Sequence, residues 1–418
     1  MRMKKCLNTA LFIVILFIIC ATTGNVLKSE TSFSIWNGSE AENPVLIKAF
    51  TYEIRSASQL VGLARTESFT EHNTYLLKTN IDLAGHEWAP IGGTKTGDQY
   101  IDGKNIRELA RGFRGVFDGG GYSIKGLKLP NGSTTGLFGY ICGTEDNKTV
   151  IKNLTIELFS NVITETETVG ALVGYAEYAE IENISVSGEK LVVKAPSLAL
   201  LITGGVVGFL HKSNISRSSC VIEVRAESST SGVVAGGLVG TNSGTIASSY
   251  ATGNVISVST SNVHYYSGFA EAGGIAGSNN SNARISSCYA SGDVIAISKS
   301  QSNQAFTIAG GITGSANTPC IIERCAALNK NVTAAKCAIN LAARIAVPVV
   351  GESSFVTNIA NENMKVIQGE RKLIDLGAVN HGSGLKFETL TDESVYLKLL
   401  KWDENIWIFP QGEYPKFK

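Results

Sequence analysis

The sequence predicts an all-β chain: a right-handed parallel β-helix-like solenoid of about seven coils, closed by small N-terminal and C-terminal capping elements. Three observations carry that expectation. A glycine-flanked apolar box recurs every 32 to 37 residues. Between boxes, short runs rich in Ile, Val, Thr and Tyr alternate with turns rich in Gly, Asn and Ser. Helical periodicity is missing from about residue 112 to 360. A unit of this size cannot bury its own apolar face, whereas stacked copies can.

Composition narrows the function classes. The 418 residues hold 36 basic and 36 acidic side chains and a net charge of zero, so nothing electrostatic favours a nucleic-acid partner. The 44 glycines follow no three-residue period, which excludes a collagen-like chain and points to many turns.

Residues 1–24 read as a secretory signal. Arg2, Lys4 and Lys5 form a basic start, and the apolar run from Leu11 to Cys20 is too short for a comfortable transmembrane helix. Cleavage has two readings: Cys20 as a lipid-anchored first residue, or ordinary cleavage at the small residues from Ala21 onward. Ile18 and Ile19 depart from the small residue that lipidation requires before the cysteine. The expectation is an exported chain, secreted or facing the cell surface or periplasm, with no transmembrane helix after cleavage.

Residues 25–130 form the expected N-terminal capping segment, with one short helix that Ser56 caps and whose Leu60, Leu63 and Ala64 share a face. Residues 131–360 hold the repeats. Their boxes are Gly136-Leu137-Phe138-Gly139, Gly170-Ala171-Leu172-Val173-Gly174, Gly204-Gly205-Val206-Val207-Gly208, Gly236-Gly237-Leu238-Val239-Gly240, Gly273-Gly274-Ile275-Ala276-Gly277 and Gly310-Gly311-Ile312-Thr313-Gly314, with a decayed copy ending at Gly351. If each unit makes one coil, equivalent residues stack about 4.8 Å apart. Leu238, Ile275 and Ile312 then form one internal ladder, Ile246, Ile285 and Ile322 another, while Asn254, Asp293 and Asn331 line an outer turn. The box glycines allow either positive φ or close backbone approach at a corner. Residues 361–418 form the C-terminal capping segment.

At the boxes, and at the stretch Ser249-Tyr250-Ala251-Thr252-Gly253-Asn254-Val255 and its copy Cys288-Tyr289-Ala290-Ser291-Gly292-Asp293-Val294, the chain resembles the bacterial secreted proteins that carry GLUG motifs. Trp402-Asp403-Glu404-Asn405-Ile406-Trp407, ending at Tyr414-Pro415, is similar to their terminal element. The resemblance spans about residues 50–418 and departs from the pattern at Gly136, Ala171 and Pro348. It implies a β-helix-like repeat domain of surface and extracellular proteins, and it implies no catalytic residue.

Candidate chemistry is sparse. The six cysteines after the leader contain no CxxC pair, so no zinc site is expected. Cys288 and Cys325 occupy the same place in adjacent coils, which suits stacked thiols or a disulfide. His86-Glu87-Trp88-Ala89-Pro90 begins like a zinc-peptidase helix but lacks the second histidine, and Pro90 stands where the helix would continue. Glu165, Glu167, Glu177, Glu180 and Glu182 fall in two early coils and read as a solvated face. His264-Tyr265-Tyr266 is the binding candidate, since exposed aromatic rings stack on sugars or anchor a protein; the alternative is that one or two of these tyrosines pack along a third strand of the coil. No cofactor, metal or catalytic residue is expected. The leading function is non-enzymatic adhesion or binding of a surface glycan or protein; the alternatives are a carbohydrate-active β-helix enzyme (polysaccharide lyase or hydrolase) and a structural spacer. Carboxylates along a groove would mark the enzyme, an aromatic stripe or polar ladder the binder, and featureless short turns the spacer.

Overall fold

Each of the six clear boxes lands on the equivalent residues of the next coil, but the seventh equivalent is Ala343-Arg344-Ile345-Ala346 and not the expected copy ending at Gly351. Gly310 pairs with Ala343 and Ser315 with Val347, so the next coil begins about four residues earlier than the glycine spacing suggests. Leu238 N donates to Ile275 O at 2.9 Å, Ile275 N to Ile312 O at 2.7 Å and Ile312 N to Ile345 O at 2.9 Å, and all of these side chains are fully buried. The second predicted ladder is longer than expected. Phe117, Ile151, Ile181, Ile215, Ile246, Ile285, Ile322 and Phe355 pair in parallel register, one per coil. The computed structural model describes residues 32–93, 99–101, 104–106, 112–159, 162–194, 200–261, 268–300, 302–350, 353–374, 376–377 and 380–418.

Each full coil reads in the same order. A strand before the box (Ala270–Gly273, for example) leads through the glycine turn into a strand after it (Ala276–Asn279). The isoleucine strand (Arg284–Ser286), a two-residue strand (Tyr289–Ala290) and a return strand (Val294–Ser298) follow. Equivalent strands of successive coils pair in parallel, giving a β-solenoid of about seven turns. The parallel sheet starts upstream of the first box, where Thr51–Ile54 pairs with Thr74–Leu77, then Val116–Asp118, then Thr149–Leu158. The helix Ala57–Ala64 follows the first of these strands; Ser56 Oγ accepts from Gln59 N at 3.3 Å, and Leu60 and Leu63 are buried. Ser34–Lys418 forms one compact unit.

The structure decides between the two roles open to the box glycines. None of Gly204, Gly205, Gly236, Gly237, Gly273, Gly274, Gly310 and Gly311 has positive φ. They are needed for close approach instead: a Cβ on Gly237 would sit 2.1 Å from Gly274 O, and one on Gly274 2.1 Å from Gly311 O. Left-handed backbone falls elsewhere, on Asn153, Asn183, Arg217, Ser248, Ser287, Arg324 and Thr357, in each coil two residues after the isoleucine or phenylalanine of the ladder. For a non-glycine residue that geometry costs roughly 1–2 kcal/mol. The following residue offsets it in the later coils. Ser249 Oγ donates back to Ala247 O at 2.7 Å and accepts from Ser218 N of the preceding coil at 3.1 Å, and Asn358 Oδ1 accepts from Cys325 N at 2.9 Å.

The outer-turn expectation holds as a hydrogen-bonded ladder. Asp293 N donates to Asn254 Oδ1 at 2.9 Å, and Asn331 donates to Asp293 through both its backbone N, at 3.1 Å, and Nδ2, at 2.8 Å.

The C-terminal segment folds back onto the solenoid. Tyr250 and Tyr289, paired in register, project outward and stack at 4.9 Å with planes 6° apart. Trp402, Trp407 and Phe417 pack around them. Trp402 Nε1 donates to Arg324 O, and Tyr289 OH to Pro415 O, both at 2.8 Å. In the next coil Ala326 takes the tyrosine position, fully buried, and Trp402 fills the room it leaves.

Candidate functional site

The residue after the last glycine of each box points out of the solenoid, because side chains alternate along a strand while the box apolar residue points in. Those outward residues form a continuous ladder: Tyr140, Tyr175, Phe209, Thr241, Ser278 and Ser315. A second outward ladder runs beside it through Glu177, His211 and Ser243 and is extended by Asn280 and Asn317, which hydrogen-bond to one another at 3.2 Å. The chemistry of this face changes partway along. Coils one to three present rings and ionisable groups; coils four to six present hydroxyls and amides.

The ring half is ordered by stacking. Tyr140 and Tyr175 meet edge-on at 5.8 Å, whereas Tyr175 and Phe209 lie nearly parallel at 5.0 Å and 12°. Tyr175 and Phe209 are half-buried. Tyr140 is buried and donates its hydroxyl proton to Glu177 Oε2 at 2.7 Å; burial foremost, and the Glu177 carboxylate next, push its pKa well above the usual phenol value. His211 follows Phe209 at 6.3 Å between rings.

The polar half opens into a cleft of about 600 Å³ lined by His211, Lys212, Ser243, Asn280, Asn282 and Asn317 among others. Here the hydroxyl and amide groups form one network. Asn280 Nδ2 donates to Ser243 Oγ at 2.9 Å, and Asn317 Nδ2 to Ser278 Oγ at 3.3 Å; Ser278 and Ser315 hydroxyls lie 2.9 Å apart. Across the glycine turn, outward side chains of the strand before the box pack over the last box glycine. A Cβ on Gly240 would meet Ile202 Cγ2 at 2.7 Å, and one on Gly277 would meet Val234 Cγ1 at 2.6 Å. The third glycine of the box therefore shapes this face as well as the fold.

The other candidates fall as follows. His264, Tyr265 and Tyr266 lie outside the described residues. Cys288 and Cys325 are buried, unbonded thiols, each donating at 3.2 Å to the carbonyl two residues back, Ser286 O and Glu323 O; burial, and the neighbouring Cys325, push the Cys288 thiol well above its usual range. Glu180 and Glu182 are paired with Lys148 and Arg217. His86 packs edge-on against Trp36 at 5.4 Å, and His381 Nδ1 accepts from Arg344 N at 3.2 Å. Among the described residues no group of three His, Cys, Asp or Glu is placed to hold a metal ion, and no helix is long and apolar enough to cross a membrane. A second cleft, of about 450 Å³, lies between the C-terminal segment and Tyr250, with Val221, Phe387, Tyr414 and Lys416 on its walls.

Sequence reasoning passed over Tyr140, Tyr175 and Phe209. A signal was present: all three directly follow the last glycine of a box, a position whose outward direction follows from strand alternation once the box residue is placed inside.

Comparison with known proteins agrees on the architecture. Residues 165–192 match the GLUG motif, consistent with a GLUG-repeat protein. No curated protein matches the chain. A crystal structure from Bacteroides ovatus, named as a candidate immunoglobulin A1 protease, superimposes with a TM-score of 0.52 at 20% identity, over 88% of this chain and 92% of that one. At that identity the likeness shows a shared fold alone.

Proposed function

We propose that this chain is an exported, non-catalytic repeat protein that binds glycans at the cell surface through the outward face after the boxes. The observation that carries the reading is the stack of Tyr175 on Phe209, half-buried and leading into a cleft of amides and hydroxyls. Aromatic faces match the C–H faces of pyranose rings, and adjacent amides and hydroxyls match sugar hydroxyls. The basic, apolar leader supports export, and the GLUG motif fits an extracellular setting. Among the described residues, no side-chain cluster carries a peptidase reading taken from the name of the Bacteroides protein.

The test pairs a glycan array with reducing-end release assays on the same sugars, using protein purified without the leader. Binding without release is expected, with Tyr175→Ala/Phe209→Ala lowering the array signal at least tenfold. Release of reducing ends would replace the proposal with the carbohydrate-active enzyme. Full binding by the double variant would remove the ring stack from the site.

A further inference from the structure

Glu271 is the carboxylate that the ladder pattern does not prepare for. It occupies the outward position of the strand Ala270–Gly273, between Val234 and Ile308 of the adjacent coils, in a stripe otherwise apolar from Ile202 onward. Its polar partner among the described residues is the Ser315 hydroxyl, which donates to Oε2 at 2.8 Å. No ionisable residue lies on the neighbouring strands Val233–Gly236 and Phe306–Gly310, nor on Ala276–Asn279 and Thr313–Asn317 across the turn. Burial lifts the carboxyl to about 7, a rise that the Ser315 hydrogen bond reduces.

From Glu271 a hydrogen-bonded chain runs to the surface cleft: Glu271 Oε2, Ser315 Oγ at 2.8 Å, Ser278 Oγ at 2.9 Å, then Asn280 Oδ1 at 3.3 Å. Each serine has one proton to give, so the direction of the chain is set at its carboxyl end, where Glu271 is half-buried. With Glu271 ionised, Ser315 must donate to the carboxylate and Ser278 turns to donate to Ser315. Asn280 Oδ1 then receives only the Asn317 amide, at 3.2 Å, and keeps a lone pair for a ligand hydroxyl. With Glu271 protonated, its own proton goes to Ser315, Ser315 donates to Ser278, and Ser278 donates to Asn280 Oδ1, filling that lone pair.

We propose that Glu271 acts as a positioning residue for the polar half of this face, setting by its protonation whether Asn280 accepts a hydrogen bond from a hydroxyl-bearing ligand. The ligand part rests on the glycan-binding reading; the relay does not. A ligand hydroxyl that donates to Asn280 prefers the ionised form, so affinity is greatest above pH 7 and falls as pH drops through 7. The ionised fraction changes about tenfold between pH 8 and pH 6 for such a midpoint, and this bounds the affinity change.

The relay is read without ligand by following the Glu271 carboxyl carbon and the Asn280 and Asn317 side-chain amides by NMR from pH 5 to 9. Carboxyl and Asn280 amide should titrate together near 7. Glu271→Gln should abolish both, and Ser278→Ala should leave the carboxyl titrating while the Asn280 response disappears. Stability supplies an independent check. A folded-state value above the unfolded one means that the folded chain holds the extra proton, so this contribution is full below about 4.5 and is lost as pH rises to 7. Glu271→Gln should therefore raise Tm relative to wild type at pH 8 and change it little at pH 5. His381, held down near 4 by burial and then by Arg344, gives the opposite slope below about 6.5 in both proteins and cancels in the difference. The glycan array repeated at pH 6 and pH 8 reads the consequence: wild type should gain up to about tenfold at pH 8, and Glu271→Gln should be flat. An Asn280 amide that ignores the Glu271 titration overturns the relay, and equal wild-type binding at both pH values overturns its role in recognition. An array with no bound glycan removes the proposed function, and the NMR result then decides the relay alone.

Discussion

The solenoid carries two stacks of outward rings with nearly the same geometry and opposite surroundings. Tyr250 and Tyr289 lie 4.9 Å apart at 6°, and Tyr175 and Phe209 lie 5.0 Å apart at 12°. Parallel register alone produces both, since equivalent side chains of adjacent coils are spaced at the strand separation. The first stack is clasped: Trp402, Trp407 and Phe417 surround it, and Tyr289 is almost fully buried. The second remains half-buried beside a polar cleft. A ring ladder is thus neutral between core and surface, and what lies against it decides which it becomes.

The sharpest way to break this contrast is Trp402→Ala. It removes a buried ring from the clasp and the hydrogen bond to Arg324 O, and should cost about 3–5 kcal/mol in urea unfolding. A loss below 1 kcal/mol would mean that the clasp adds little to the fold. A smaller effect is expected from Ala326→Tyr, which restores the tyrosine of the repeat at the site filled by Trp402. Overpacking there should destabilise by about 1–3 kcal/mol, whereas a stabilised variant would show that a third ring fits the stack. The smallest effect belongs to the coupling between Tyr175→Ala and Phe209→Ala, about 0.5–1.5 kcal/mol in a double-mutant cycle of thermal melts for the ring pair beyond its area burial, even though glycan binding by the double variant should fall tenfold or more. A large melting shift would make that stack structural, like the clasped one.

Much of the fold is legible because a repeat turns one local observation into many. The box residues Leu238, Ile275 and Ile312 had to point inward together, and the polar turn at Asn254, Asp293 and Asn331 followed from the same register. The site was less legible. His264-Tyr265-Tyr266 attracts notice as a cluster along the chain, whereas Tyr140, Tyr175 and Phe209 are separated by a full coil and become neighbours only when coils stack. Glu271 is harder still, because its partner Ser315 and the next hydroxyl, Ser278, come from two other strands, reached across the glycine turn.

The left-handed residues show the same division. Glycine is the residue expected at positive φ, yet Arg217, Ser248, Ser287 and Arg324 adopt it while the box glycines do not. The reason is local hydrogen bonding by the next residue, as Ser249 does for Ser248, combined with a backbone approach so close at the box that no Cβ fits.

By itself, then, the sequence determined the period, the inward ladders and the parallel stacking, because periodic apolar residues bounded by glycine have one economical way to leave water. Only the tertiary structure decided which outward ladder is covered and which meets solvent. That choice depends on a C-terminal segment returning over more than a hundred residues to Tyr289, a contact between Tyr289 and Pro415 that no local pattern encodes.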